Sequence, residues 1–229
     1  MHERHIRQII REILQEADIE DNATVSDPLS LANRSLVPAE QPKKLLIISP
    51  GVDNAKGPGI NWKEAAPVHV QFAREAGLPG RGVGVVVARN SGVPISSVLK
   101  EISSSKDMRI MNLLSAPERI LLGFSGGGSS VIRYMASGDG NISTFSKIYL
   151  ADPAANSDTV SSIPAMRPSL SKIDMTYNPD HWGGTPNLDR ISRELPLFAK
   201  KLNAAAGTEV AKLVKKRHID HLTDMLARI

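Results

Sequence analysis

The chain contains no cysteine, which removes disulfides, thiolate metal sites and cysteine nucleophiles and adds weight to serine among the remaining nucleophiles. Aromatic residues are 4% of the 229 positions, so the core is expected to be mainly aliphatic. No apolar run is long enough to span a membrane. The first residues, MHERHIRQIIREILQEA, carry charge throughout instead of an uninterrupted apolar stretch, so no secretory signal is expected and the protein is expected in the cytoplasm. The formal charge is +4 and the pI about 9.4. Its basic residues lie in short scattered clusters, Lys43-Lys44, Lys200-Lys201 and Lys215-Lys216-Arg217. With no aromatic-interleaved basic stripe, these read as solvated surface, and no nucleic-acid partner is expected.

What is present, 41% hydrophobic and 23% charged residues, is the composition of an ordinary globular chain of a size that buries one substantial core. Ile6, Ile9, Ile10, Ile13 and Leu14 recur at helical spacing and predict an amphipathic helix over residues 3 to 17. That helix either docks on its own domain or serves self-association or a protein partner. Residues 18 to 42, rich in Asp, Asn, Ser, Pro and Glu, read as a linker or extended arm, which gives an organisation of 1–17, 18–42 and a domain over 43–229.

Within that domain, apolar runs alternate with segments long enough for helices. Strands are expected in KLLIISPG (44–51), VGVVVARN (83–90), RILLGFSG (119–126), KIYLADP (147–153), SKIDMTYN (171–178) and EVAKLV (209–214). Helices are expected over about 63–76, 93–104, 127–137, 187–204 and 219 to the end. Continuous apolar runs, in contrast to alternating ones, indicate strands covered on both faces. The fold class is α/β, a doubly wound and mostly parallel sheet of about six strands flanked by helices.

The third run leads directly into Gly123-Phe124-Ser125-Gly126-Gly127. A GxSxG sequence between a strand and a helix is the pattern of a nucleophile elbow, in which a serine held on a tight turn needs very small neighbours. Gly126, Gly127 and Gly128 could also make a plain turn or cradle an anion at the helix start. A phosphate loop, however, wants a lysine that does not follow Gly128, and a dinucleotide fingerprint wants GxGxxG where the first loop reads SPGVDNAKGPG.

On the elbow and the strand order, residues 43 to 229 resemble the α/β-hydrolase superfamily. The resemblance implies that Ser125 is a nucleophile and that the backbone NH of Gly126, together with that of Val52 in the loop after the first strand, forms the oxyanion hole, although no HG or HGGG motif precedes Val52. The family's order of serine, acid, histidine implies Asp180 as the acid, at the usual family position, with Asp152 of Asp-Pro-Ala as the alternative. The histidines beyond the serine are His181, His218 and His221, and the family position implies His218 as the base, with His221 one turn later as the alternative. His181-Trp182-Gly183-Gly184 would shape the pocket, or Trp182 would pack over the sheet edge. His218 and His221 have a ligand spacing but no evident third ligand, so neither a metal nor a cofactor is expected. The expected activity is that of a serine hydrolase cleaving a small-molecule carboxylic ester, or secondarily an amide, through an acyl-enzyme. The alternatives are a non-catalytic binding or structural protein on a degenerate form of the fold, and a nucleotide-binding domain.

Overall fold

In the structure, a computed structural model, residues 30–51 and 65–229 are described. The amphipathic helix expected over 3–17, the first part of the 18–42 segment and Val52 lie outside the described residues. Each of the apolar runs forms a strand. They are β2 (Lys44–Ser49), β3 (Val83–Val87), β4 (Glu118–Phe124), β5 (Lys147–Ala151), β6 (Ile173–Tyr177) and β7 (Ala211–Leu213). A further strand, β1 (Ser35–Leu36), lies in the segment expected to be a linker and pairs antiparallel with β3. The sheet therefore has seven strands, in the order β1-β3-β2-β4-β5-β6-β7, and every pairing except β1 with β3 is parallel.

Two residues carry no periodicity, and what holds β1 is tertiary. Arg34, just before it, is fully buried and donates from Nη1 to the carbonyl of Val87 at 2.8 Å and from Nη2 to Glu101 Oε1 at 2.6 Å. A buried guanidinium must have such partners, because an unpaired charge inside the protein is costly.

The helices are α1 (Ala65–Glu75), α2 (Ile95–Ser103), α3 (Met108–Met111), α4 (Gly126–Ala136), α5 (Ser157–Val160), α6 (Pro186–Ala206) and α7 (His218–Arg228). Their ends follow local chemistry. In α6, Thr185 caps the start by accepting from the Leu188 NH at 3.3 Å, Pro186 follows it, and Gly207 closes the end at φ 68°.

Strand residues alternate between two apolar layers. Leu45, Ile47, Leu121 and Leu150 pack with Val98, Val131 and Phe198 of α2, α4 and α6, while Ile48, Val85, Leu122 and Phe124 pack with Val68, Phe72, Leu222 and Met225 of α1 and α7. β3 is buried at every position, the signature of a parallel sheet covered on both faces. β3 lies on one side of β2 and β4 on the other, so the direction of winding reverses there. In such sheets the crevice at the carboxyl ends of the strands is where ligands bind.

Beneath that crevice, His69 of α1 is fully buried, with its ring centroid 5.6 Å from that of Phe124. Its Nδ1 meets the Ala65 carbonyl at 2.5 Å. Burial pushes its pKa down to about 4, against the pull of that hydrogen bond in the opposite direction. Because the folded-state value lies below the unfolded value of 6.5, the folded form binds fewer protons between the two. Stability contributed by neutral His69 is then complete above pH 6.5 and is lost as the pH falls toward 4. His69→Leu is expected to remove about 3 kcal/mol of acid-dependent destabilisation across that window. Urea unfolding at a series of pH values would measure this, and an unchanged pH slope would contradict it.

Candidate active site

The register of the sheet sets the site. Phe124 of β4 pairs with Ala151 of β5, and Ala151 pairs with Thr176 of β6. Ser125 and Asp152 therefore leave adjacent strands at the same level. Both have left-handed backbone conformations, φ 54° at Ser125 and φ 43° at Asp152, and they are the only described non-glycine residues with positive φ. Such conformations cost energy in residues with a side chain and persist only where the surroundings enforce them. Here the enforcement is backbone hydrogen bonding. The Ser125 NH donates to the Ala151 carbonyl at 3.1 Å, its carbonyl accepts from Gly128 and Ala154 at 3.0 and 2.9 Å, and the Asp152 NH donates to the Thr176 carbonyl at 2.7 Å.

The turn closes because Gly127 and Gly51 have no side chains. A Cβ on Gly127 would stand 2.0 Å from the Ser49 carbonyl oxygen, and one on Gly51 would stand 2.3 Å from Ser125 Cβ. Gly51 thus brings the loop after β2 against the serine. Val52, the residue expected to give an oxyanion NH, follows it outside the described residues. Gly126 is the first residue of α4, where backbone NH groups have no partner within the helix, and it lines the same cavity as Ser125.

The acid expected from sequence was Asp180, with Asp152 as the alternative, and the contact is made by Asp152. Its Oδ2 accepts from His218 Nδ1 at 2.6 Å and from His181 Nδ1 at 2.8 Å, and its Oδ1 accepts from the Asn178 NH at 2.8 Å. Asp180 is exposed, in the turn Pro179–His181, and its NH donates to Asn178 Oδ1 at 3.2 Å. The reason is positional. Asp152 steps directly off a buried strand beside Ser125, whereas Asp180 lies three residues beyond the end of β6 in a surface turn. Burial by itself would raise the Asp152 carboxyl, but the two imidazole hydrogen bonds, the His218 charge and the Asn178 NH outweigh it and hold the group well below the ordinary value of 3.8.

Of the two candidate bases, His218 meets Asp152 and His221 does not. His218 opens α7, is 6% exposed, and stacks at a tilt on Phe124 with centroids 4.6 Å apart. Trp182 meets its ring edge-on at 5.2 Å, so this tryptophan forms part of the site wall. His221 is buried one turn later, its Nδ1 paired with the Thr176 hydroxyl at 2.8 Å. Its pKa is pushed down by burial, with the Asp152 charge acting in the other direction. His181, read from sequence as a pocket-shaping residue, is a second imidazole on the Asp152 carboxylate. The signal that could have found it is its place three residues after Asn178, at the end of a strand neighbouring β5.

A cavity of about 400 Å³ joins these groups, lined by Ser125, His181, His218, Thr185 and Asn187 and by the apolar Ala154, Trp182, Leu188 and Ile191. Asp152, His181 and His218 are the one group among the described residues whose potential metal-ligand atoms cluster, within 4.8 Å. Two donors tetrahedrally disposed about a zinc ion lie about 3.4 Å apart, whereas these nitrogens are 2.6 and 2.8 Å from the oxygen. The spacing is that of hydrogen bonds.

No family model matches the chain, and no curated protein does. Among solved structures the chain is similar to a predicted CIB-like hydrolase from Thermoplasma acidophilum, at 12% identity and TM-score 0.41, over 85% of this chain and 91% of that one. It is also similar to siderophore hydrolase EstB from Aspergillus nidulans, at 14% identity and TM-score 0.48, over 84% of this chain and 83% of that one. A lipase-esterase related protein from Clostridium acetobutylicum ATCC 824 is similar at 12% identity and TM-score 0.44, over 85% and 96% of the two chains. At this level, likeness assigns neither reaction nor substrate, and what the site can do follows from its own atoms.

The close approach at the elbow has a direct consequence. Gly127→Ala is expected to cost about 1–3 kcal/mol, because the obstructing atom is a strand carbonyl and not a side chain that can turn away. A denaturant midpoint equal to that of the unmodified protein would show that the turn relaxes instead.

Proposed function

We propose that this protein is a serine hydrolase of the α/β-hydrolase type that cleaves a carboxylic ester through an acyl-enzyme on Ser125. The observation that carries this reading is the 2.6 Å contact between His218 Nδ1 and Asp152 Oδ2, made beside a strained serine that opens into the same cavity. A carboxylate on Nδ1 fixes the imidazole tautomer and leaves Nε2 to take a proton. In the reaction, Ser125 Oγ bonds to the substrate carbonyl carbon as its proton passes to His218 Nε2. The tetrahedral oxyanion is stabilised by the Gly126 NH, with the Val52 NH as the expected second donor. The C–O bond to the leaving group then breaks, and His218 returns the proton to the departing alkoxide. Water, deprotonated by His218, attacks the acyl carbon and releases the acid and Ser125.

Asp152 replaces Asp180 as the group that orients His218 and stabilises its charged form. The apolar walls formed by Ala154, Trp182, Leu188 and Ile191 favour an uncharged small-molecule substrate of modest size.

A fluorophosphonate probe is expected to label the folded protein at Ser125, and Ser125→Ala to abolish both labelling and ester hydrolysis. Asp152→Asn is expected to lower kcat by about 10³- to 10⁴-fold, while Asp180→Asn leaves it within about twofold. Absence of labelling in folded protein is the outcome required by a binding or structural role, and equal losses in the two aspartate variants would overturn the assignment of the acid.

A further inference from the structure

The proposed reaction uses one imidazole on Asp152, and the structure supplies two. Every oxygen of this fully buried carboxylate is accounted for: Oδ1 accepts from the Asn178 NH, and Oδ2 accepts from His218 and His181 together. A buried acceptor with two donors gives each of them less than it would give one alone.

His181 is held in the role of donor. Asn178 Nδ2 donates to its Nε2 at 3.1 Å and also to the Lys216 carbonyl at 3.2 Å, while Asn178 Oδ1 accepts the Asp180 NH at 3.2 Å. With the amide so oriented, the ring carries its proton on Nδ1 and directs it at Asp152, and its Nε2 is already engaged. His181 is therefore not equivalent to His218 as a base, although both line the cavity. The rings stand edge to face with centroids 5.8 Å apart, so a second positive charge on the pair would be repelled at short range.

Resting on the reading of Ser125, His218 and Asp152 given above, we infer that His181 is a positioning residue that sets the acid limit of activity by competing with His218 for Asp152 Oδ2. When His218 takes the serine proton, the attraction it gains from Asp152 is reduced by the hydrogen bond that His181 already draws from the same oxygen. Asp152 therefore holds the protonated ring of His218 less tightly than it would if His218 were its sole imidazole partner.

The charged and titratable groups around the pair are few. Asp152 faces it from the end of β5, and His221 faces His181 from α7 at a ring distance of 5.8 Å. Along α7, Asp220 is paired with Arg217 and Asp224 with Lys216. On the side of the loop after β6, Asp180 is exposed, and Asp189 Oδ1 accepts the Gly184 NH at 3.1 Å. Among these, the carboxylate that both imidazoles share is Asp152.

The test compares the unmodified protein with His181→Phe, which keeps a ring and loses the donor, and His181→Gln, which keeps an NH donor of similar reach. The pH dependence of kcat/KM is measured with a neutral ester, and the imidazole resonances are followed by NMR over the same range. In His181→Phe the acid limb of kcat/KM and the His218 ring titration are both expected to move to higher pH by about half to one unit, with His181→Gln between the two. A merely structural role would lower the plateau and leave the limb in place, and that result overturns the inference. Loss of Ser125 labelling at every pH in folded His181→Phe overturns it also, because His181 would then be the base. Since the NMR titration does not require turnover, a protein that hydrolyses nothing still answers whether His181 weakens the hold of Asp152 on His218, and the failure of one reading is distinguishable from that of the other.

Discussion

A carboxylate with no exposure to solvent is the constraint around which this end of the molecule is built. Taken out of water, Asp152 must be matched by donors, because an uncompensated buried charge would cost several kcal/mol. The donors come from three places in the chain: a backbone NH at the end of β6, a ring in the turn that follows it, and the first residue of α7. Satisfying one side chain thus fixes a loop and a helix relative to β5. The same ties that stabilise the fold hold an imidazole beside Ser125, and structural and chemical demands are met by the same hydrogen bonds.

Most of the fold was legible because it is written in continuous apolar runs. β2, β3, β4 and β5 are buried along nearly their whole length, and such runs, separated by helix-length segments, have few alternatives to a parallel sheet. β1 was not legible. It is two residues long and depends on a buried arginine whose partners, Val87 and Glu101, lie more than fifty positions away. The 3₁₀ stretch Ile163–Lys172 was hidden for a related reason, since its prolines and serines give no helical period.

For the candidate site, the serine turn could be seen in five residues because its geometry is local and leaves a glycine signature. The acid could not be chosen in that way. Asp152 and Asp180 each follow a strand, and what separates them is register: Ala151 pairs with both Phe124 and Thr176, which places the residue after it beside the serine. Sequence position carries no record of that alignment. His181 lies beyond the serine and just after a strand, but that position alone does not show that its ring nitrogen meets a residue twenty-nine positions earlier. Interactions over such separations are specified by how the strands line up, and this appears only once the sheet is assembled.

The two left-handed residues, Ser125 and Asp152, have a bearing on how this protein could change under selection. Glycine adopts their backbone angles without penalty, so replacing either would relieve local strain while deleting a functional group. At Asp152, however, glycine would also release the loop and the helix that the carboxylate ties to β5, and leave their donors buried without an acceptor. The strain at Asp152 is thus offset by hydrogen bonds that only its side chain can accept, and relief of the backbone angle alone would not stabilise the protein.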